Sequence, residues 1–175
     1  PRRPLNHLPL SEPEVGAVAL TMLDLGMLRP AQGVPAEPTP LPGRESECLE
    51  AQLGMPTVHL DDELRAFLEA YNRRISWHPE PPAGICAHKL ANPGWVISLA
   101  EVRSALATLD STQGRSVRAT VEARFPLADR EVWQDWVKLL RGSADSGLPV
   151  LFGPADYEGP WAVAEILLES DYRIS

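Results

Sequence analysis

The stretch GWVISLAEVRSALATLD, residues 94–110, decides the fold because it joins a buried strand directly to a capped helix. Its opening run, 94–97, combines aromatic and β-branched side chains, which favour a strand. Ser98 is followed three residues later by Glu101, and this capping box marks the start of a helix. The sequence therefore predicts a strand over 94–97 and a helix that continues to about residue 110.

Helix-starting residues and apolar side chains at helical spacing recur on both sides of this stretch. Near the N-terminus, Ser11 and Glu14 form a second capping box, and a proline stands in the first turn. We predict helices over 12–27, over 45–53, from Asp61 or Asp62, from Asp129 to Gly142 and from Pro160.

Further strands are predicted where short apolar runs stand between turn residues. Residues 57–60 and 148–152 are such runs. The segment Val117–Phe125 fits two structures, because its apolar residues alternate as in a strand while Val117, Val121 and Phe125 also repeat every four residues as in a helix. The alternation favours a strand.

Together these elements predict an α+β fold, with about five helices packed on a small sheet of short strands. A chain of 175 residues is expected to form a single globular domain, residues 1–175. Five of its 18 prolines fall within 30–43, where they remove backbone donors and prevent a helix. This segment is therefore predicted to be an extended, proline-rich connector on the surface.

The formal charge of −8 limits the possible partners. An acidic surface disfavours nucleic acid, since binding to phosphates depends on Lys and Arg, and favours a basic protein partner instead. No run approaches the roughly 20 apolar residues that cross a membrane. The two cysteines show no paired spacing, which is typical of thiols in a reducing compartment. We expect a soluble, cytoplasmic protein.

Chemistry-bearing residues are sparse. The chain has no phosphate-binding glycine loop, no nucleophile elbow and no zinc-protease helix motif. His78, Cys86 and His88 lie within eleven residues and are candidates for a metal site, although they lack the paired spacing of structural zinc ligands. In an extended strand Cys86 and His88 would share a face, as a nucleophile and its base require. A buried thiol and ordinary loop histidines are the favoured interpretation, so we predict no metal, no cofactor and no catalytic residue.

The five tryptophans are candidates for core or for contact. Trp133 and Trp136 share one helical face, which favours the core because each ring buries a large apolar area. Trp77 and Trp161 stand beside prolines in loop-like surroundings. We therefore predict these two as exposed binding residues for a protein partner, because tryptophan is enriched where interfaces are strongest.

One pattern extends over about a third of the chain, residues 94–152. It consists of the strand, the capping box and the two tryptophans on a helix: Gly94-Trp95-Val96-Ile97-Ser98-x-x-Glu101-Val102-x-x-Ala105-Leu106, then Trp133-x-x-Trp136-Val137-x-x-Leu140. This pattern resembles small acidic actinobacterial proteins of unknown function, some of them suspected immunity or toxin-neutralising proteins. The resemblance implies a bacterial source and a neutralising role, and it implies no catalytic residue.

The sequence thus favours a non-enzymatic module that binds or neutralises another protein. A small hydrolase or transferase with a site near Cys86 and His88 is the first alternative. A structural component of a larger assembly, whose proline-rich segment orders on contact, is the second.

Overall fold

The computed structural model describes residues 6–30, 33–155 and 159–167, and the fold is α+β, as predicted. The described residues contain seven α-helices and six short strands. The strands are β1 (His7–Leu10), β2 (Leu28–Arg29), β3 (Ile85–Cys86), β4 (Trp95–Ile97), β5 (Val150–Pro154) and β6 (Ala162–Ile166). The helices are α1 (Glu12–Asp24), α2 (Glu45–Gln52), α3 (Asp62–Ile75), α4 (Ala87–Ala91), α5 (Leu99–Ser111), α6 (Gly114–Arg124) and α7 (Arg130–Ser146).

Four strands form an antiparallel sheet in the order β1-β6-β5-β4. β5 lies inside the sheet, and Phe152 pairs with Trp95 on one side and with Ala164 on the other. Its side chains alternate, so Val150 and Phe152 are fully buried while Leu151 is only partly covered. One face of the sheet therefore carries the main core. β2 and β3 form a separate parallel pair.

Helices α1, α5 and α7 supply most of the other main-core residues, with further ones from β2, β3 and α4. Trp136 of α7 is fully buried, and its ring meets Phe152 edge to face with the centroids 6.4 Å apart. A second, smaller cluster joins α2 to α3 through Cys48, Ala51, Leu64 and Phe67. The α2–α3 unit thus has its own small apolar cluster. The side chains on the outer face of α2 do not contribute to it.

The predictions around the two capping boxes are confirmed. The Ser98 hydroxyl accepts from the backbone N–H of Glu101, and the Glu101 carboxylate accepts from the N–H of Ser98. The same reciprocal pair joins Ser11 and Glu14 at the start of α1. Because each box satisfies two helix N–H groups that would otherwise lack partners, the sequence fixes both helix starts. The predicted end at residue 27 is three residues too late.

The strand favoured for Val117–Phe125 is wrong, because these residues belong to α6 and its C-cap. Val117 and Val121 pack against the main core from one helical face, and no α6 side chain is fully buried. The four-residue repeat thus decides the structure of this segment, because a helix places both valines on one face against the core. The sheet is built from β1, β6, β5 and β4 without it.

Three further predictions are corrected. The segment after Pro160 forms strand β6 and not a helix, since its backbone pairs with both β1 and β5. Residues 57–60 form neither helix nor strand. Gly142 lies inside α7, which continues to Ser146. Gly147 is the C-cap of this helix, and its φ of 73° lies in the left-handed region that favours glycine. Strand β1 is not predicted from the sequence, because it has four residues and contains Pro9, and proline is tolerated in a strand only at a sheet edge.

The part of the proline-rich connector that the structure describes, residues 30 and 33–43, contains no helix or strand, and most of its side chains are exposed. It nevertheless touches the α2–α3 unit. The Arg74 Nε donates to the Pro35 carbonyl at 3.1 Å, and the Leu41 N–H lies 3.4 Å from the Cys48 sulfur. Residues 31 and 32 of the predicted connector lie outside the described residues.

Gly84 is required where β3 meets β2. Its φ is +78°, and a Cβ built there would lie 2.4 Å from the Met27 carbonyl oxygen, which accepts the N–H of Ile85. Gly84→Ala is therefore expected to lower the free energy of unfolding by about 3 kcal/mol, combining the left-handed penalty with the clash. Urea denaturation monitored by tryptophan fluorescence measures the loss.

Gly43→Ala is the matched control. Gly43 has nearly the same φ, +76°, but a Cβ there would meet no atom within 4 Å. The control should lose only about 1–2 kcal/mol, the cost of the backbone conformation alone. Equal losses in the two variants would contradict the clash at the β2–β3 junction.

Candidate functional site

The structure separates Cys86 from His88. Cys86 ends β3 and is 1% exposed, whereas His88 lies in the following helix, α4. The His88 ring packs edge-on against Trp95 with the centroids 4.7 Å apart, and its Nδ1 accepts from the Asn92 side chain at 3.3 Å. The expectation that Cys86 and His88 share a strand face is wrong, because the chain turns into a helix between them.

His78 is held by its own neighbours. Its Nδ1 donates to the Pro79 carbonyl at 3.0 Å and lies 3.7 Å from a Glu80 carboxylate oxygen. Across residues 6–30, 33–155 and 159–167, no three side chains among His, Cys, Asp and Glu are placed to hold a metal ion. The structure therefore does not bring His78, Cys86 and His88 together as ligands.

The two predicted contact tryptophans, Trp77 and Trp161, occupy different surroundings. Trp77 follows α3 and is half-buried, and its ring approaches the position where a Gly33 side chain would begin. Trp161 precedes β6 and packs against the main core, with its ring 6.5 Å from that of Phe152. Each ring is thus partly used within the fold, and neither lines the groove described below.

The most concentrated polar network is a buried ion pair between Lys89 of α4 and Glu101 of α5. The Lys89 Nζ donates to a Glu101 carboxylate oxygen at 2.5 Å and to the Val96 carbonyl at 2.6 Å. The N–H of Cys86 donates to the second carboxylate oxygen at 2.8 Å. Burial lowers the pKa of the Lys89 amine, and the adjacent carboxylate opposes that shift.

This network has no access to a ligand. Both charged side chains are 0% exposed, and the carboxylate is occupied by donors from three segments of chain. Its geometry joins β3, α4, β4 and α5, so its role is to fix their arrangement. The sequence indicated the Glu101 helix cap but gave no sign that Lys89 would be its partner.

A groove of about 780 Å³ lies between α6 and α7, closed at one end by the last residues of α5. We call it the α6–α7 groove. Each of the two long walls presents one helical face with residues at spacings of three and four. The lining residues are Leu109, Asp110, Thr112, Gly114, Val117, Arg118, Val121, Glu122, Arg130, Trp133, Gln134, Val137, Lys138 and Arg141.

The floor of the groove is apolar. Trp133 and Val137 of α7 face Val117 and Val121 of α6, and Leu109 lies at the closed end. α6 has no fully buried side chain, so it covers α7 only in part. The faces of α6 and α7 thus match the surface that a third helix of a bundle would cover.

The rim of the groove is cationic. The lining contains four cationic side chains and two carboxylates: Arg118, Arg130, Lys138 and Arg141, and Asp110 and Glu122. The net local charge is therefore positive on a chain whose total is −8.

Two of these cations are already paired. Arg141 binds Asp110 at 2.8 Å and lowers the pKa of that carboxyl, and Arg118 contacts Glu122 at 3.2 Å. Within the part of the chain that the structure describes, Arg130 and Lys138 have no carboxylate within 4.0 Å. The Arg130 Nε donates to the Phe125 carbonyl at 3.4 Å, and the other donors of Arg130 and the Lys138 amine can bind an anionic group.

The polar lining of the groove consists mainly of charged side chains. Its lining contains no histidine and no cysteine, and Thr112 supplies the one hydroxyl. The spacing of the α7 tryptophans predicts a core face, of which Trp133 also borders the groove. The groove itself could not be predicted, because the alternation over 117–125 favours a strand in place of its opposite wall, α6.

Fold and groove together define a class: a small α+β protein with an open, cation-rimmed groove between two helices. Comparisons of the chain with protein-family models, with curated proteins and with solved structures find no match. Among the helices of the described residues, none has both the length and the apolar character needed to cross a membrane.

Proposed function

We propose that this protein is a non-enzymatic binding module that holds an acidic, amphipathic helix of another protein in the α6–α7 groove. The observation that carries the proposal is the pair of facing helix surfaces, with lining residues at spacings of three and four, that no third helix of the described residues covers. Helix-in-groove recognition uses this geometry, in which apolar anchors of the ligand repeat at the same spacing.

Charge specifies the ligand further. Arg130 and Lys138 lie eight residues apart along α7, slightly more than two turns, on the rim above the apolar floor. Carboxylates flanking the apolar stripe of a docked helix would meet them, and charge complementarity of this kind gives specificity and a faster association rate. The groove thus selects an acidic helix of the partner. The acidic surface of this chain outside the groove favours a partner whose other surfaces are basic.

Binding of this kind blocks whatever the bound helix does in its own protein. The proposal therefore includes the neutralising role implied by the resemblance to suspected immunity proteins. The proposed binding does not involve Cys86, His88 or the buried Lys89–Glu101 ion pair.

A synthetic peptide tests the groove directly. The probe is a fluorescein-labelled helix of about 16 residues, with leucine at i, i+3, i+4 and i+7 and glutamate on its flanks. We expect binding in the range of about 1–100 µM by fluorescence anisotropy, weakening as salt is raised. Arg130→Glu combined with Lys138→Glu should weaken it at least about tenfold.

Two controls isolate the groove from net charge. Arg65→Glu combined with Arg103→Glu changes the total charge by the same amount at exposed positions that do not line the groove. This pair should change affinity by less than about twofold. A peptide of the same composition with its leucines spread around the helix should not bind. Equal weakening by both pairs of substitutions would overturn the proposal.

A further inference from the structure

The outer side of α2 carries exposed apolar side chains, of which Leu49 also borders a cleft formed with residues 37–40 of the connector. Leu49 is 56% exposed and Leu53 is 69% exposed, and they stand four residues apart on one side of the helix. Met55, just beyond the helix, is 44% exposed. Cys48 and Ala51 face the opposite way, into the α2–α3 cluster. We call Leu49, Leu53 and Met55 the α2 face.

Negative charge surrounds the α2 face. The eight residues of α2 contain three glutamates and no lysine or arginine. Glu47 is paired with Arg44 at 2.8 Å, and Arg44 is also held by Asp61 at 2.7 Å. Within the described ranges, Glu45 and Glu50 have no cationic partner within 4.0 Å. Among the described residues, Glu45 accepts only the Gly43 N–H, at 3.2 Å. The α2 face is therefore an apolar stripe beside carboxylates that no described cation neutralises.

We propose that the α6–α7 groove of one molecule receives the α2 face of a second copy of this chain. This inference rests on the proposed function, since it names one acidic amphipathic helix that the groove accepts. Leu49 and Leu53 would contact the floor near Trp133 and Val137, and Glu45 and Glu50 would meet the cationic rim. Self-docking occupies the same groove as the partner, so partner binding would disperse the assembly.

The other exposed apolar helix face is a poorer match. Leu20 and Leu23 of α1 are about half exposed, but Asp24 beside them is already paired with Arg124. The α2 face also has a suitable size, because eight residues extend about 12 Å and the groove follows about three turns of α7. Such a short contact buries less than a standard stable interface, so the association should be weak and reversible.

Sedimentation velocity of the full chain tests the proposal. The weight-average sedimentation coefficient should rise between about 10 µM and about 1 mM protein, and the rise should be smaller at high salt. Leu49→Ser combined with Leu53→Ser, and separately Arg130→Glu combined with Lys138→Glu, should each abolish the rise. Both pairs change exposed or groove-lining side chains, and circular dichroism verifies that the variants remain folded.

A mixing experiment makes the test specific. The leucine variant keeps an intact groove, and the charge variant keeps an intact α2 face, so each should be monomeric alone. Mixed in equal amounts, they should form a one-to-one dimer, because one complete contact is restored. A mixture that stays monomeric under conditions where the wild-type chain associates would overturn the proposal.

The peptide assay separates this inference from the function on which it rests. A wild-type chain that binds the acidic peptide but sediments as a monomer up to about 1 mM would overturn the second-copy inference and leave the proposed function standing. A chain that neither binds the peptide nor associates would overturn both. The Leu49→Ser and Leu53→Ser variant should still bind the peptide, since its groove is unchanged.

Discussion

Lys89→Met is expected to lower the free energy of unfolding by about 3–5 kcal/mol, because it leaves the Glu101 carboxylate buried without its counter-ion. The carboxylate is 0% exposed and would retain two backbone N–H donors, from Cys86 and Ser98. Methionine fills much of the space of the lysine stem. The loss of unfolding free energy would therefore come from the unpaired charge and not from a cavity. Urea denaturation at constant m-value measures it.

Two comparisons make this prediction specific. Lys89→Met combined with Glu101→Gln removes both charges and should recover about half of the loss, since glutamine can still accept from a backbone N–H. Arg118→Met breaks a surface pair whose arginine is 82% exposed, and it should cost less than about 0.5 kcal/mol. A loss below about 1 kcal/mol for Lys89→Met would contradict a buried ion pair at the junction of β3, α4, β4 and α5.

Trp136→Ala should cost about 3–5 kcal/mol, because it removes the largest fully buried side chain of the main core. The ring lies between α7 and the sheet, in edge-to-face contact with Phe152. Its indole N–H has no acceptor among the described residues. Trp136→Phe should therefore cost less than half as much, since it keeps most of the apolar contact and removes a buried donor that lacks a partner. Thermal and urea unfolding of both variants measure the difference.

Trp133→Ala is the matched comparison on the same helix. Trp133 is 4% exposed and borders the α6–α7 groove, so solvent and neighbouring side chains can relax into the space that it leaves. We expect a smaller loss of stability than for Trp136→Ala and, unlike Trp136→Phe, a loss of peptide binding. Equal losses for the two alanine variants, with peptide binding unchanged, would contradict the assignment of Trp133 to the groove floor.

Local signals predicted the parts of the fold that local interactions build. The capping boxes at Ser11 and Ser98 satisfy helix donors with side chains three residues away, so both helix starts could be predicted from the sequence. The stripe of Leu64 and Phe67 likewise predicted the buried side of α3. These features depend on neighbours along the chain, and no distant segment competes with them.

Elements that depend on contacts between distant segments could not be predicted in this way. Pro160 followed by apolar residues predicts a helix start, yet the backbone of β6 gains more from bonding to two strands at once. Val117–Phe125 alternates like a strand, but Val117 and Val121 pack against the main core from one face of a helix. The groove could not be predicted, since it exists only because α6 is a helix and covers α7 incompletely.

The sequence by itself determined the α+β class, the two capped helix starts and the apolar face of α7, because each follows from side chains within a few residues of one another. Tertiary structure alone decided the strand order, the partner of Lys89, the burial of Cys86 away from His88 and the cationic rim of the groove. These depend on contacts between segments far apart in sequence, whose free energy is gained only once the chain has closed around them.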